Sequence, residues 1–126
     1  MVAVAWFALG QPAFYAHECE HSYLPTAEAR FGFRGGRVGV SDQGSSEYAL
    51  VQVDPSGFLG RAGFRSGDVP VAHHGGLASF CYALQASEAV EDRGEVAREV
   101  SVVRADDRQS RRTLVVPIAK FGNARR

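Results

Sequence analysis

The chain has 126 residues, of which 45% are hydrophobic and 22% are charged, a composition typical of one globular domain. Its 14 acidic and 14 basic residues give a formal net charge of zero. This balance argues against a dedicated nucleic-acid binder, because such proteins carry a basic excess or a basic stripe. The small basic clusters, Arg108 with Arg111 and Arg112 and the terminal Arg125 and Arg126, are typical of solvated turns and tails.

The first residues, MVAVAWFALGQPAFYA, are apolar and end in small residues. Two interpretations stay open. The segment is either a secretory signal or anchor, although no Lys or Arg precedes its apolar stretch, or an extension packed on the domain. The run from Val2 to Leu9 is too short to span a bilayer. Residues 17–30 are polar and predict irregular chain, with a short helical turn over Thr26–Arg30 after Pro25.

The next part of the chain predicts strands separated by glycine-rich turns. Residues 31–40, FGFRGGRVGV, alternate loosely and predict a strand entered through a tight loop. Residues 47–53, EYALVQV, predict a strand, and residues 56–64 have room for only a short helix. Residues 68–74 predict a short strand, and Pro70 within it indicates an edge or irregular position.

The second half predicts one longer helix and a closing hairpin. Leu77, Phe80, Cys81 and Leu84 follow helical spacing, which predicts a helix from Leu77 to about Ser87. Residues 99–104 and 112–118 then predict two strands joined by a turn over residues 105–111. Several strands with two helices inserted predict a small α+β domain.

The stretch VDPSGFLGRAGFRSGDV, residues 53–69, resembles the signature of PDZ domains, especially the bacterial type attached to envelope proteases. The matching pieces are Val53 and Pro55, the triplet Ala62-Gly63-Phe64, and the triplet Gly67-Asp68-Val69. The pattern is fairly specific because it lies between two predicted strands. The sequence departs from the family at Pro70, at His73 and His74, and at GFLGRAGF, which replaces a small Ser-Pro-Ala cluster.

The residues of this motif have physical roles that do not depend on the family name. Gly63 after Ala62 would end a short helix in the left-handed conformation. Gly67 would give a turn its positive φ, and Asp68 would hydrogen-bond nearby backbone amides. We favour this turn role over a catalytic one for Asp68, since no base or nucleophile is fixed near it in the sequence.

The resemblance covers residues 29–118 and implies a PDZ-like, partly open β-barrel or sandwich of five to six strands with one short and one longer helix. Residues 1–28 would then be the apolar N-terminal segment and residues 119–126 a basic C-terminal tail. Attachment to envelope proteases implies an exported or periplasmic protein. Otherwise the chain would be cytoplasmic, and any membrane contact would come only through an N-terminal anchor.

The resemblance also implies a noncatalytic module that captures an extended peptide, mainly a protein C-terminus, by adding it as a strand beside the long helix. The backbone amides of Phe31, Gly32 and Phe33 would bind the terminal carboxylate. The peptide-binding residues expected on this basis are Arg30, Phe31, Gly32, Phe33, Arg34, Val38, Phe80 and Leu84. No cofactor and no nucleic-acid partner are expected.

Two other functions stay open. Phe80 and Leu84 are also typical core residues, and the adjacent glycines of RGGR would weaken the receiving strand. The domain would then be a regulatory or structural part of a protease with no free peptide groove. The third hypothesis is a small metal-dependent hydrolase, because His17, Cys19 and His21 alternate in HECEH. A structural zinc site needs four ligands, and the remaining candidates are His73 and His74, so we expect no metal site.

The two cysteines, Cys19 and Cys81, are too few to predict a disulfide framework. One bridge is compatible with an exported protein. Cys81, within an apolar run, is more typical of a small buried hydrophobic residue.

Overall fold

The computed structural model describes residues 15–39, 46–72, 75–88 and 97–119. Its architecture is α+β, with five antiparallel strands forming one open sheet in the order β1-β2-β3-β4-β5. The strands are β1 (Phe33–Gly39), β2 (Ser46–Val53), β3 (Asp68–Val71), β4 (Arg98–Arg104) and β5 (Asp107–Val116). The helices are α1 (Leu24–Phe31), α2 (Phe58–Arg61) and α3 (Gly76–Glu88).

The predicted closing hairpin is confirmed, but its turn is shorter than expected. The last paired residues are Arg104 and Asp107, so only two residues form the turn. The sequence predicts that the polar residues 107–111 belong to the turn. They are strand residues instead, because the first half of β5 is largely exposed to solvent and needs no apolar side chains.

Of the two alternatives predicted for the strand around Pro70, the edge position is wrong, whereas its pairing with β2 is irregular. β3 lies between β2 and β4. It pairs with β4 over four residues but with β2 only at Leu50 and Asp68. This short pairing leaves Pro70 with no register partner on β2, which explains how a residue without an N–H is tolerated in a central strand.

The motif between β2 and β3 has the backbone roles that the sequence predicts. Gly63, which follows α2, and Gly67 have φ values of 107° and 93°. The Asp68 carboxylate accepts a hydrogen bond of 2.8 Å from the backbone N–H of Arg65. It also pairs with Arg112 at 2.7 Å and Arg104 at 3.4 Å, two partners that the sequence did not reveal. Asp68 therefore ties the turn to both closing strands.

The short helical turn predicted over Thr26–Arg30 is confirmed as part of α1, but the expectation of irregular chain over the rest of residues 17–30 is wrong. Residues 15–31 form one helix, named here the N-terminal helix, which passes through a π-helical turn at Cys19–Tyr23 before continuing as α1. Pro25 explains the turn, because it has no N–H to donate and its ring would crowd the carbonyl one turn earlier. The Leu24 N–H instead donates to the carbonyl of Cys19, five residues earlier. This turn therefore contains one residue more than an α-helical turn.

The main core lies between one face of the sheet, α3 and the N-terminal helix. α1 contributes Leu24, Ala27 and Phe31, each at most 1% exposed. Their three- and four-residue spacing places them on one face of the helix. Residues 24–28, which the resemblance left outside the domain, therefore share its core.

A second, smaller cluster lies on the opposite face of the sheet. It consists of Ala49, Val69 and Val103, with Val38 and Val71 packed against it. Neighbouring residues such as Leu50 and Val102 belong to the main core, as expected when successive side chains of a strand point to opposite faces.

Candidate functional site

The candidate site is the groove between β1 and α3, where the resemblance implies that a peptide would bind. β1 is an edge strand, since β2 is its only partner among the described strands. β1 and α3 form the two walls of the groove. They meet through Phe33 and Phe80, whose ring centroids are 5.6 Å apart. The N-terminal helix contacts both of these walls.

A disulfide joins the N-terminal helix to the α3 wall. Cys19 and Cys81 are bonded, with their Cα atoms 6.3 Å apart. Cys81 is therefore not the free buried thiol that its sequence context indicated. On either side of this bond, the Tyr15 hydroxyl donates to the Gln85 side chain, and the Tyr23 hydroxyl donates to the Glu88 carboxylate.

The same helix also binds the β1 wall. The Arg37 Nε donates to the Glu20 carboxylate at 2.9 Å, and this hydrogen bond is the main reason why the pKa of Glu20 is lowered. About two turns further along, the Glu28 carboxylate accepts the backbone N–H of Gly35 at 2.9 Å. One backbone N–H of β1, the strand that would receive the peptide, is thus already bound by a carboxylate of the protein itself.

The aromatic and aliphatic residues expected to form the peptide pocket are core residues. Phe31, Phe33, Phe80 and Leu84 are all 5% exposed or less. Phe31 packs edge-on against Phe58, with ring centroids 5.1 Å apart. The structure brings Phe33 and Phe80 together as expected, but in a closed contact.

The Gly32 amide, which the resemblance implies would bind a terminal carboxylate, is already hydrogen-bonded within the protein. This residue ends α1 with φ 75°, and its N–H donates to the Glu28 carbonyl at 2.8 Å. In this structure the Gly32 amide therefore caps α1.

The remaining expected residues lie in three different places. Arg30 binds both oxygens of Glu88 at 2.8 Å, and this hydrogen-bonded pairing raises the pKa of the Arg30 guanidinium. Val38 packs on the smaller cluster, on the opposite face of the sheet. Arg34 is exposed and lines a shallow cavity of about 190 Å³ with Gly32 and Phe33. Of the expected residues that line this cavity, Arg34 is exposed and Gly32 is partly exposed, whereas Phe33 is buried.

A second cavity of about 210 Å³ lies between the N-terminal helix and β1. Tyr48, from β2, lies at its base and is only 6% exposed. Its hydroxyl has no hydrogen-bond partner among the described residues. Burial, followed by the negative charges of Glu28 and Glu20, raises the pKa of Tyr48. The hydroxyl is also closed to solvent, although the Tyr48 side chain lines the cavity.

The residues of HECEH lie on a helix and not on a strand. His17 and His21 are one turn apart, with ring centroids 4.5 Å from each other. The sulfur of Cys19 is bonded to Cys81 and is not available as a thiolate ligand. Across the described ranges, no group of three or more His, Cys, Asp and Glu side chains is arranged to hold a metal ion. His73 and His74 lie outside the described residues.

Within the part of the chain that the structure describes, no helix is long and apolar enough to cross a membrane.

Sequence reasoning missed the N-terminal helix as part of the site. A signal was present, since Leu24, Ala27 and Phe31 have helical spacing, but the polar residues between them and Pro25 concealed it. No family model matches the chain, and no curated protein or solved structure matches it. We therefore infer function from the geometry of the groove and of the helix that fills it.

Proposed function

We propose that the chain is a PDZ-like protein-interaction module whose peptide groove is closed by its own N-terminal helix. In this state it serves as a regulatory or structural domain and not as a free peptide receptor. When open, it would take an extended peptide with a free C-terminus along β1. We assign no catalytic role to any residue.

The order of elements supports the PDZ-like part of the proposal. A short helix follows β2, a glycine in the left-handed conformation ends it, and Gly67-Asp68 begins β3. The longer α3 and a strand hairpin come next. β1 provides an edge beside α3 that an incoming strand would need.

The observation that carries the closed state is the position of the N-terminal helix on both walls. It is bonded to α3 through Cys19, and it contacts β1 through Glu20 and Glu28. An added strand needs the N–H and C=O groups of β1, and one of these groups already has a partner from the helix. A disulfide of this kind persists in an oxidising compartment, which fits export to the cell envelope.

Peptide selection on two forms of the protein tests the proposal. One is the oxidised protein, and the other is an opened variant, Cys19→Ser/Glu20→Lys/Cys81→Ser, in which the new ammonium group repels Arg37. We expect random peptides with free C-termini to bind the opened variant only, and amidation of the selected peptides to abolish binding. Carboxylate-dependent binding by the oxidised protein would show that the groove is not closed. No binding by the opened variant, with its fold intact, would contradict the PDZ-like assignment.

A further inference from the structure

The two halves of the N-terminal helix are held to the protein in different ways. α1 buries Leu24, Ala27 and Phe31 in the main core. The preceding residues 15–23, named here the strap, have Cys19 as their single buried residue. Tyr15 and Tyr23 are only partly buried at the edge of the core. Burial of apolar side chains therefore fixes α1 much more firmly than the strap.

Apart from the disulfide, the strap is held mainly by polar contacts near the surface. These contacts are Tyr15 with Gln85, Tyr23 with Glu88, and Glu20 with Arg37. Arg37 is almost half exposed, so solvent competes for its ion pair. This exposed ion pair contributes little, because each side chain exchanges water for a partner and loses rotational freedom. The two tyrosine hydrogen bonds are partly buried, and each makes only a modest net contribution, because the hydroxyl exchanges water for a protein partner. The bond between Cys19 and Cys81 is the principal connection of the strap to the groove.

The regular hydrogen bonding of the α-helix is also interrupted where the strap joins α1. The π-helical turn ends at Tyr23, and Pro25 two residues later has no N–H to donate back toward the strap. A helix interrupted by such a turn has a natural point at which one half bends away from the other.

From these contacts we infer that the Cys19–Cys81 disulfide is a redox latch: its reduction releases the strap from the groove while α1 stays in the core. The released strap uncovers α3 around Cys81 and Gln85 and the β1 edge around Arg37. An extended peptide with a free C-terminus then binds through the β1 groups beyond Gly35, whose N–H stays bonded to Glu28 of α1. The inference rests on the proposed function for the identity of that ligand.

The reductant is a dithiol. One thiolate attacks a sulfur of the disulfide and forms a mixed disulfide, and the second thiol then displaces the protein sulfur. Two electrons and two protons pass to Cys19 and Cys81, and the dithiol becomes a disulfide. Cys19 and Cys81 are at most 3% exposed, so attack needs a transient opening of the strap. The latch is therefore reduced more slowly than an exposed disulfide.

Hydrogen exchange on the full chain, oxidised and after complete reduction with dithiothreitol, tests the latch. After reduction, we expect the amides of Cys19–Tyr23 to exchange through opening of the strap alone, with at least about tenfold less protection than those of Leu24–Phe31 and of the sheet, whose protection falls only with the free energy of global unfolding. A Cys19→Ser/Cys81→Ser variant should match the reduced protein with or without dithiothreitol. Tyr23→Phe, which removes one polar contact but keeps the disulfide, should match the oxidised protein.

Two results would contradict the inference that the Cys19–Cys81 disulfide is a redox latch. One is equal protection of Cys19–Tyr23 in the oxidised and reduced proteins. The other is equal protection of the strap, α1 and the sheet in the reduced protein, because the strap would then open only when the whole domain unfolds.

The peptide pool selected on the opened variant completes the test. Tighter binding to the reduced than to the oxidised protein, by at least about tenfold, supports the latch. If the opened variant binds these peptides but reduction neither releases the strap nor tightens binding, the latch is wrong and the proposed function stands. If reduction releases the strap but neither protein binds any peptide, the proposed ligand is wrong.

Discussion

Cys19 and Cys81 are bonded to each other although 62 positions separate them in the chain. The bond joins a residue of the π-helical turn to a residue of the long helix α3. It holds the N-terminal helix at the place where the PDZ resemblance implies a bound peptide. The stability of the domain and the proposed closure of the groove therefore depend on the same pair of residues.

Removal of this bond should lower the free energy of unfolding by about 4 kcal/mol, because a cross-link that closes so long a loop strongly restricts the unfolded chain. The change is Cys19→Ala/Cys81→Ala, and the measurement is urea unfolding with and without dithiothreitol. The reductant should destabilise the wild-type protein and leave the double variant unchanged. A loss below about 1 kcal/mol would contradict the model of unfolded-state restriction.

Gly35→Ala should destabilise the domain by about 1 to 3 kcal/mol, because a new methyl group would collide with a buried side chain. A Cβ at position 35 would come within 1.7 Å of the Tyr48 hydroxyl and 2.2 Å of the adjoining ring carbon. Gly39→Ala is the matched control on the same strand, since its Cβ would meet nothing within 4 Å. Thermal unfolding of the two variants compares them, and equal melting temperatures would show that Tyr48 does not pack on Gly35.

Asp68→Asn should cost about 2 to 4 kcal/mol, since it removes the charge that two arginines bind at a buried position. Asp68 is fully buried, whereas the Asp106 side chain, 3.8 Å from the same Arg104, is 83% exposed. Asp106→Asn should therefore change the free energy of unfolding by less than about 0.5 kcal/mol. Denaturant midpoints measure both variants. Equal losses would mean that burial does not strengthen the Asp68 pairs.

The domain should lose stability as the pH rises above about 10, the ordinary pKa of tyrosine. Burial is the main cause that raises the pKa values of Tyr15, Tyr23 and Tyr48 in the folded protein. The folded state keeps these hydroxyls protonated while the unfolded chain releases its protons, so stability is full below pH 10 and falls through the higher folded pKa values.

Unfolding free energies measured between pH 8 and pH 11.5 would test this dependence. Tyr48→Phe should show a smaller loss over the same range, and it should be no less stable at pH 8, because it removes a buried hydroxyl that has no partner among the described residues. An equal alkaline loss in Tyr48→Phe would exclude Tyr48 as a contributor.

Local patterns were sufficient to predict most of the sheet and α3. β2 and β4 carry apolar residues where burial requires them, and the apolar spacing of α3 follows the helical period. The glycines at positions 63 and 67 have the backbone angles that their turns need. In each case a short stretch of sequence contains the whole physical reason for the structure.

The site was harder to predict, because its geometry depends on contacts between distant residues. Nothing near Cys19 indicates that Cys81 is its partner, and nothing near Asp68 indicates Arg112, 44 positions away. Phe31, Phe33, Phe80 and Leu84 suit either a peptide pocket or a core. The position of the N-terminal helix decides between these two roles, and its π-helical turn breaks the regular spacing by which a helix is recognised.

Nuclear Overhauser effects in the oxidised protein test most directly whether the N-terminal helix closes the groove. We expect cross-peaks from Tyr23 to Glu88 on α3 and from Glu20 to Arg37 on β1, because each pair is in hydrogen-bond contact. Both sets must appear in the same sample. Cross-peaks that place residues 15–23 away from both walls would contradict the closed groove.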